Sequence, residues 1–244
     1  MYNRYMRQIL SILVFFALLY NGQVTALPIT APSWLVADGN GKIIQGENTK
    51  DVRSIASISK LMTAMIVLDA KQDLDEYINP YTRRELIQLA IVHSDNKAAD
   101  ILCNNYPGGK SGCVRALNDK AIFLSLPNTR FVEPTGLSVF NVSTAEELVK
   151  IVMTASNYSE IVRASKTSQV KIQIKKKWLV FNNTNPIIGK RHDFIVSKTG
   201  YIKASGGCIA MMLDTDVGRR IVIVLGSKNT HTRIPEAEFI ATKF

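Results

Sequence analysis

From Ser168 onward the chain alternates between apolar and polar positions: Val170, Ile172 and Ile174 are separated by Lys171, Gln173 and Lys175. A two-residue period sends the two sets to opposite faces of an extended ribbon, so this stretch predicts a half-exposed strand. Phe194–Gly200, Gly207–Leu213 and Arg219–Leu225 are three more strand candidates. The last two flank Asp214-Thr215-Asp216-Val217-Gly218, a turn-forming run that makes them antiparallel neighbours. Nearer the N-terminus, Ser33–Ala37 and Lys42–Gln45 flank Asp38-Gly39-Asn40-Gly41 and predict a hairpin. Between these ends the period changes. In Ser57–Ala70 the apolar residues Ile58, Leu61, Met62, Met65, Ile66, Val67 and Leu68 occupy most of a helical circumference, which predicts a helix buried inside the protein. Helices are also expected at Thr82–Val92, at Lys97–Asn104, from near Ser143, where Ser143–Glu146 resembles a capping box, and from Pro235. Strands at both ends with helices between them predict one sheet assembled from the two termini and carrying a helical insertion.

The first residues follow another pattern. Arg4 and Arg7 precede twelve uncharged, mostly apolar residues from Ile9 to Tyr20, then Val24-Thr25-Ala26. Basic, apolar and small residues in that order make a secretory signal peptide, with cleavage expected near Ala26 and an exported product. As a helix the apolar run would cover roughly 18 Å, short of the roughly 30 Å hydrocarbon core. An uncleaved N-terminal anchor is the alternative. The 218 residues that remain are enough for one domain with a substantial core, or two subdomains sharing an interface. They carry 28 basic and 20 acidic residues, with one block at Lys175-Lys176-Lys177. That balance suits an anionic polymer or peripheral membrane association, although a solvated face is the commoner reason for such charge. No nucleic-acid module and no metal-ligand spacing is present, so neither nucleic acid nor a metal cofactor is expected. Three cysteines leave at least one unpaired; Cys103–Cys113, across Tyr106-Pro107-Gly108-Gly109, is the pair expected to bridge, with three reduced thiols as the alternative.

The candidate chemistry lies in short motifs. Ser-x-x-Lys occurs three times, as Ser57/Lys60, Ser94/Lys97 and Ser168/Lys171. Residues three apart on a strand point to opposite faces, which removes Ser168. On a helix the same spacing makes them neighbours, and the N-terminal end of a helix favours a developing negative charge. Ser57/Lys60 therefore ranks first. Ser94-Asp95-Asn96 and Lys198-Thr199-Gly200 come after it in order, completing the signature of penicillin-binding proteins and class A β-lactamases.

Longer blocks extend the match: Ala56–Ala64, Phe131–Ser138, Asn183-Thr184-Asn185-Pro186 and Ser197–Ile202. From about Pro32 to Gly226 the chain resembles low-molecular-mass penicillin-binding proteins, and within them the D-alanyl-D-alanine endopeptidases and carboxypeptidases without a large C-terminal domain. The resemblance implies an α+β fold of the β-lactamase/transpeptidase type, with a five-stranded antiparallel sheet flanked by helices and an inserted all-helical subdomain. A D,D-peptidase domain over 27–244 would then divide into a sheet subdomain, about 27–70 and 165–244, and a helical one, about 71–164. It also implies roles. Ser57 would attack the D-Ala-D-Xaa carbonyl of peptidoglycan peptides and Lys60, held neutral, would take its proton. Ser94 and Asn96 would relay the proton and hold substrate amides. Lys198 and Thr199 would bind the carboxylate of substrate or β-lactam, Gly200 would allow close backbone approach, and the N–H groups of Ser57 and Tyr201 would form the oxyanion hole.

Two other readings compete. A class A β-lactamase needs a glutamate acting through water, and Glu133 falls in the right interval, but Gly136 stands where that pattern has asparagine. A non-catalytic peptidoglycan or penicillin sensor would need no neutralised lysine. His93, His192 and His231 lie in no motif and read as structural or surface residues. The sequons at Asn141, Asn157 and Asn182 are of a kind frequent by chance. Carboxypeptidase and endopeptidase activity differ in the group that the D-alanine carbonyl is joined to, and the resemblance leans to the endopeptidase, although Lys203-Ala204-Ser205-Gly206 lacks the acidic residue expected there.

Overall fold

Both ends of the chain contribute strands to one sheet. The computed structural model describes residues 29–244, so the expected leader at 1–26 lies outside the described residues. In chain order β1 (Ser33–Asp38), β2 (Ile43–Glu47) and β3 (Arg53–Ser54) lead through a 3-10 turn at Ala56–Ile58 into α1 (Ser59–Asp69). The short strands β4 (Tyr77–Ile78) and β5 (Tyr81–Thr82) precede α2 (Arg83–Gln88), a π-helical turn at Leu89–His93, α3 (Asn96–Asn104) and α4 (Gly109–Phe123). Then come β6 (Val142–Ser143), α5 (Ala145–Ala155), α6 (Ser159–Lys166), and the hairpin β7 (Gln169–Ile174) with β8 (Lys177–Asn182). The chain ends with β9 (Asp193–Ile202), β10 (Gly206–Thr215), β11 (Gly218–Ser227) and α7 (Arg233–Lys243).

Five strands pair antiparallel in the order β2-β1-β11-β10-β9, so the first strand and the last lie side by side. Alternation along them divides the core. Ile221, Ile223 and Leu225 of β11 face the helical side, whereas Val222 and Val224 face α7 through Ile234, Ala237 and Ile240. Burial on both faces explains why these strands read as unbroken apolar runs. The helix α1 is buried at every residue from Ser59 to Val67. It achieves this by running through the middle of α3, α4, α5 and α6.

Several expected boundaries shift for local reasons. The α-helix begins at Ser59, because Ser57 belongs to the 3-10 turn before it. Thr82 ends a strand and caps α2 in a reciprocal pair with Glu85, and the expected helix to Val92 becomes a π-turn after Gln88. No capping box forms at Ser143: its hydroxyl bonds Thr129 Oγ1 at 2.7 Å, and Thr144 caps α5 instead. The sequence reading missed α4, whose first turn holds two glycines; its buried stripe is Cys113, Leu117 and Ala121. It also missed α6 and β8. The strand read from Ser168 is present as β7, but it pairs only with β8, outside the five-stranded sheet. The two-residue loop joining them is Lys175-Lys176, with φ of 45° and 66°. Left-handed backbone costs residues with a β-carbon roughly 1–2 kcal/mol each, which is why Asn-Gly usually fills such loops.

Cys103 of α3 and Cys113 of α4 form a disulfide with Cα atoms 5.3 Å apart, while Cys208 on β10 is buried and free. Alkylation in denaturant without reductant should label one cysteine, and three after reduction. Three labels before reduction would exclude the bridge.

Candidate active site

Ser57 is presented by a strained turn. Ala56, immediately before it, has φ of 46°, a conformation disfavoured for any residue with a β-carbon. Such strain persists only where neighbours over-determine it. Two glycine backbones press on this turn. A β-carbon on Gly136, itself at φ 82°, would overlap the Ala56 carbonyl, and one on Gly200 would stand 2.9 Å from the Ser57 nitrogen. Ser57 is half-buried, whereas Ala56 and Ile58 on either side are fully buried.

One turn along α1, the Lys60 side chain is wholly inaccessible. Its Nζ stands 2.8 Å from Ser57 Oγ, 2.7 Å from Asn96 Oδ1 and 2.5 Å from the Thr135 carbonyl oxygen. The last two atoms can only accept, so once the amine is neutral they absorb its two N–H bonds and leave its lone pair facing the Ser57 hydroxyl. Burial lowers the Lys60 pKa to about 8, against the opposing pull of Glu133, Asp95 and Asp100.

The loop that supplies Thr135 is braced by Glu133. One carboxylate oxygen accepts from Thr135 N at 2.7 Å and Thr135 Oγ1 at 2.6 Å. The other accepts from Gly136 N at 2.7 Å, Asn141 Nδ2 at 3.1 Å and Ser138 N at 3.3 Å. With five donors on it, this carboxylate has no lone pair free to activate water. The fully buried Asn141 ties the loop to Ser59 Oγ at 3.1 Å, so the sequon beginning there is not accessible in the folded chain. Thr63 fastens the same loop from α1 by donating to the Pro134 carbonyl.

On the opposite wall, the edge strand β9 runs beside the Ala56–Ile58 turn. The buried Lys198 places Nζ 2.8 Å from both Ser94 Oγ and the Thr199 carbonyl. Burial, then the charges of Lys60 and Arg233, hold its pKa well below the ordinary lysine range. Ser94 reaches it from a left-handed backbone at φ 60°, ending the π-turn, while Asp95 caps α3 by accepting from Ala98 N. Thr199 Oγ1 donates to Thr184 Oγ1 at 2.7 Å, and Arg233 donates to the Gly200 carbonyl at 2.7 Å. The Tyr201 ring is exposed and makes no bond to the cluster.

The structure therefore gathers Ser57, Lys60 and Asn96 at one wall and Ser94, Lys198 and Thr199 at the other. Ser94 bonds Lys198 rather than the exposed Lys97, and Ser168 and Lys171 lie on the surface. His93 packs edge-on against Phe181, His192 lies beside Glu238, and neither bonds Ser57. Thr135, Asn141, Thr184 and Arg233 were given no role from the sequence. The first three fall within or beside the motif blocks, whereas no local signal marks Arg233. Among the described residues, no group of three or more metal-ligating side chains comes together.

The sequence model of the D-alanyl-D-alanine carboxypeptidase family matches residues 21–79 and 75–229. The chain belongs to this family. A D-alanyl-D-alanine endopeptidase of Pseudomonas aeruginosa is 36% identical, with 86% of this chain and 75% of that protein covered. Its counterpart in Escherichia coli is 34% identical, over 88% and 77%. Among solved structures, penicillin-binding protein D2 of Listeria monocytogenes in its ampicillin-bound form superposes with a TM-score of 0.78 at 26% identity, covering 88% of this chain and 97% of that one.

A further methyl group at Gly136 would displace the Ala56 carbonyl and with it Ser57. Gly136→Ala is expected to destabilise the protein by about 3 kcal/mol, from overpacking and the left-handed backbone together. It should also cut labelling by fluorescent penicillin at least tenfold in the fraction that remains folded, measured at a temperature well below its melting point. Wild-type labelling and melting would contradict the close approach.

Proposed function

We propose that this member of the family is a serine D,D-peptidase that cleaves D-Ala-D-Xaa bonds of peptidoglycan peptides through an acyl-enzyme on Ser57, and that penicillins block it by acylating the same oxygen. The observation that carries this is the Lys60 amine, 2.8 Å from Ser57 Oγ with its other two hydrogen-bonding directions taken by fixed acceptors. As Ser57 Oγ attacks the carbonyl carbon, its proton passes to the Lys60 lone pair. The oxyanion is stabilised by the backbone N–H groups of Ser57 and Tyr201. Lys60 returns that proton through the Ser94 hydroxyl, which takes it up as it gives its own to the departing amine; Asn96 holds the substrate amide, and water then releases the acyl group. Lys198 and Thr199 bind a substrate carboxylate. Burial disfavours the protonated Lys198 amine and a bound anion favours it, so carboxylate binding and Lys198 protonation are coupled.

The endopeptidase names of the 36% and 34% identical relatives favour crosslinks over free D-alanine termini. The same reading makes residues 1–26 an export leader and the periplasm the site of action. A β-lactamase role is disfavoured because Glu133 is saturated by loop donors.

Labelled penicillin should remain on wild-type Ser57 for minutes and fail to attach to Ser57→Ala, and purified crosslinked muropeptides should be cut faster than uncrosslinked ones. Rapid turnover of a chromogenic cephalosporin, or labelling of the alanine variant, would refute the assignment. The pH dependence has a definite sign. Lys60 works only as the free amine, so acylation should rise with pH through about 8, level off above, and fall about tenfold per unit below. A flat stopped-flow acylation profile from pH 6 to 9 would exclude Lys60 as the base.

A further inference from the structure

The positive charge of this protein sits in one place. Between Ile161 and His192 there are eight basic residues and no acidic one, while the rest of 27–244 holds twenty of each sign. The centre of that segment is the β7–β8 hairpin. Lys171, Lys175, Lys176 and Lys177 are all exposed on it. Trp178 and Val180 beside them are 64% and 51% exposed.

Register explains the arrangement. Val170 pairs with Phe181 and turns to the core, whereas Gln173 pairs with Trp178 and Lys171 with Val180 on the outer face. The outer face and tip are thus cationic and aromatic at once. The tip is kept so against local preference, because the left-handed loop positions that Asn-Gly would fill without strain hold two lysines. The base of the hairpin is fastened to the cleft. Thr184 N donates to the Val92 carbonyl at 3.0 Å, His93 Nδ1 lies 3.1 Å from Asn182 O, and Thr184 Oγ1 meets Thr199 Oγ1 at 2.7 Å.

We propose that the β7–β8 hairpin is a docking arm for the polymer that carries the scissile peptide. Its lysines meet the carboxylates of peptidoglycan stem peptides and Trp178 offers a flat apolar face to a sugar ring, so an insoluble anionic strand is held beside Ser57. This rests on the peptidase reading and adds to it a site the scissile peptide alone does not need. Anionic lipid would satisfy the same charge, but the contacts between the hairpin base and the Thr199 wall favour the polymer that must reach that wall.

The test uses pelleting with purified sacculi, in a Ser57→Ala background so that nothing is digested. Lys175→Asn, Lys176→Gly, Lys177→Gln and Trp178→Ala are combined in one arm variant. The parent should bind at 0.1 M salt and weaken toward 1 M, where the screening length falls from about 10 Å to about 3 Å. The arm variant should bind at least tenfold more weakly and with little salt dependence. Because Asn-Gly suits the turn, its melting temperature should equal or exceed the parent's, and the same substitutions on active enzyme should leave penicillin labelling and soluble muropeptide cleavage within twofold. Sacculus binding within twofold of the parent would overturn the proposal. So would an arm variant that loses only pelleting with phosphatidylglycerol vesicles, which would assign the arm to lipid. Arm-dependent sacculus binding by a protein whose Ser57 takes no penicillin would sustain the arm and remove the peptidase reading instead.

Discussion

A primary amine withdrawn from water at the start of a buried helix sets the terms for everything around it. Lys60 is fully inaccessible, and an unpaired ammonium there would be strongly disfavoured. The fold answers with two carbonyl oxygens, one from Asn96 on α3 and one from Thr135 on the connector before β6. Each needs its own support. Asp95 caps α3 and so aims Asn96, while Glu133, Asn141 and Thr63 hold the connector in place. Gly136 then lets that connector lie against the strained turn bearing Ser57.

The second buried amine, Lys198, comes from the sheet, and the cleft is the seam where it approaches the first. Two lysines brought close in low dielectric repel, and that repulsion adds to burial in lowering the Lys198 pKa. A cleft lined this way is least stable when empty and charged. In the proposed reading, a substrate carboxylate placed beside the two amines relieves that repulsion. The sheet supports this geometry because β9 is an edge strand, with one side paired to β10 and the other open to the Ala56–Ile58 turn.

Much of this was legible in the chain itself. Two-residue alternation and unbroken apolar runs located β7 and β9–β11, and the apolar circumference of Ser57–Ala70 announced a buried helix. Helix α4 was not legible, since Gly109 and Gly112 open it and its stability comes from the Cys103–Cys113 tether and a narrow buried stripe. The capping box at Ser143 misled because Ser143 and Thr144 are both able caps, and tertiary contact with Thr129 decided between them. At the site, spacing alone left three Ser-x-x-Lys candidates, and Ser57, Lys60, Ser94, Asn96 and Lys198 could be named through the order of the three motifs and the family resemblance they carry. Thr135 contributes a backbone carbonyl, which no residue type encodes, and Arg233 arrives from α7 with no local motif.

The strength of the site as chemistry is its weakness as structure. Lys60 ordinarily titrates near 10.5 and here near 8, so between those values the unfolded chain binds a proton that the folded one does not. Stability tied to this group therefore rises with pH across that window, and at neutral pH the deficit is roughly 3 kcal/mol. The left-handed Ala56 and Ser94 add strain to the same region. What offsets them lies away from the cleft: a sheet buried on both faces, a helix buried all round, and a disulfide joining α3 to α4 that closes a short loop and contributes about 3 kcal/mol. That disulfide restrains the helix whose first residue is Asn96, so the tether that supports the fold also steadies one of the two oxygens on which the neutral amine depends.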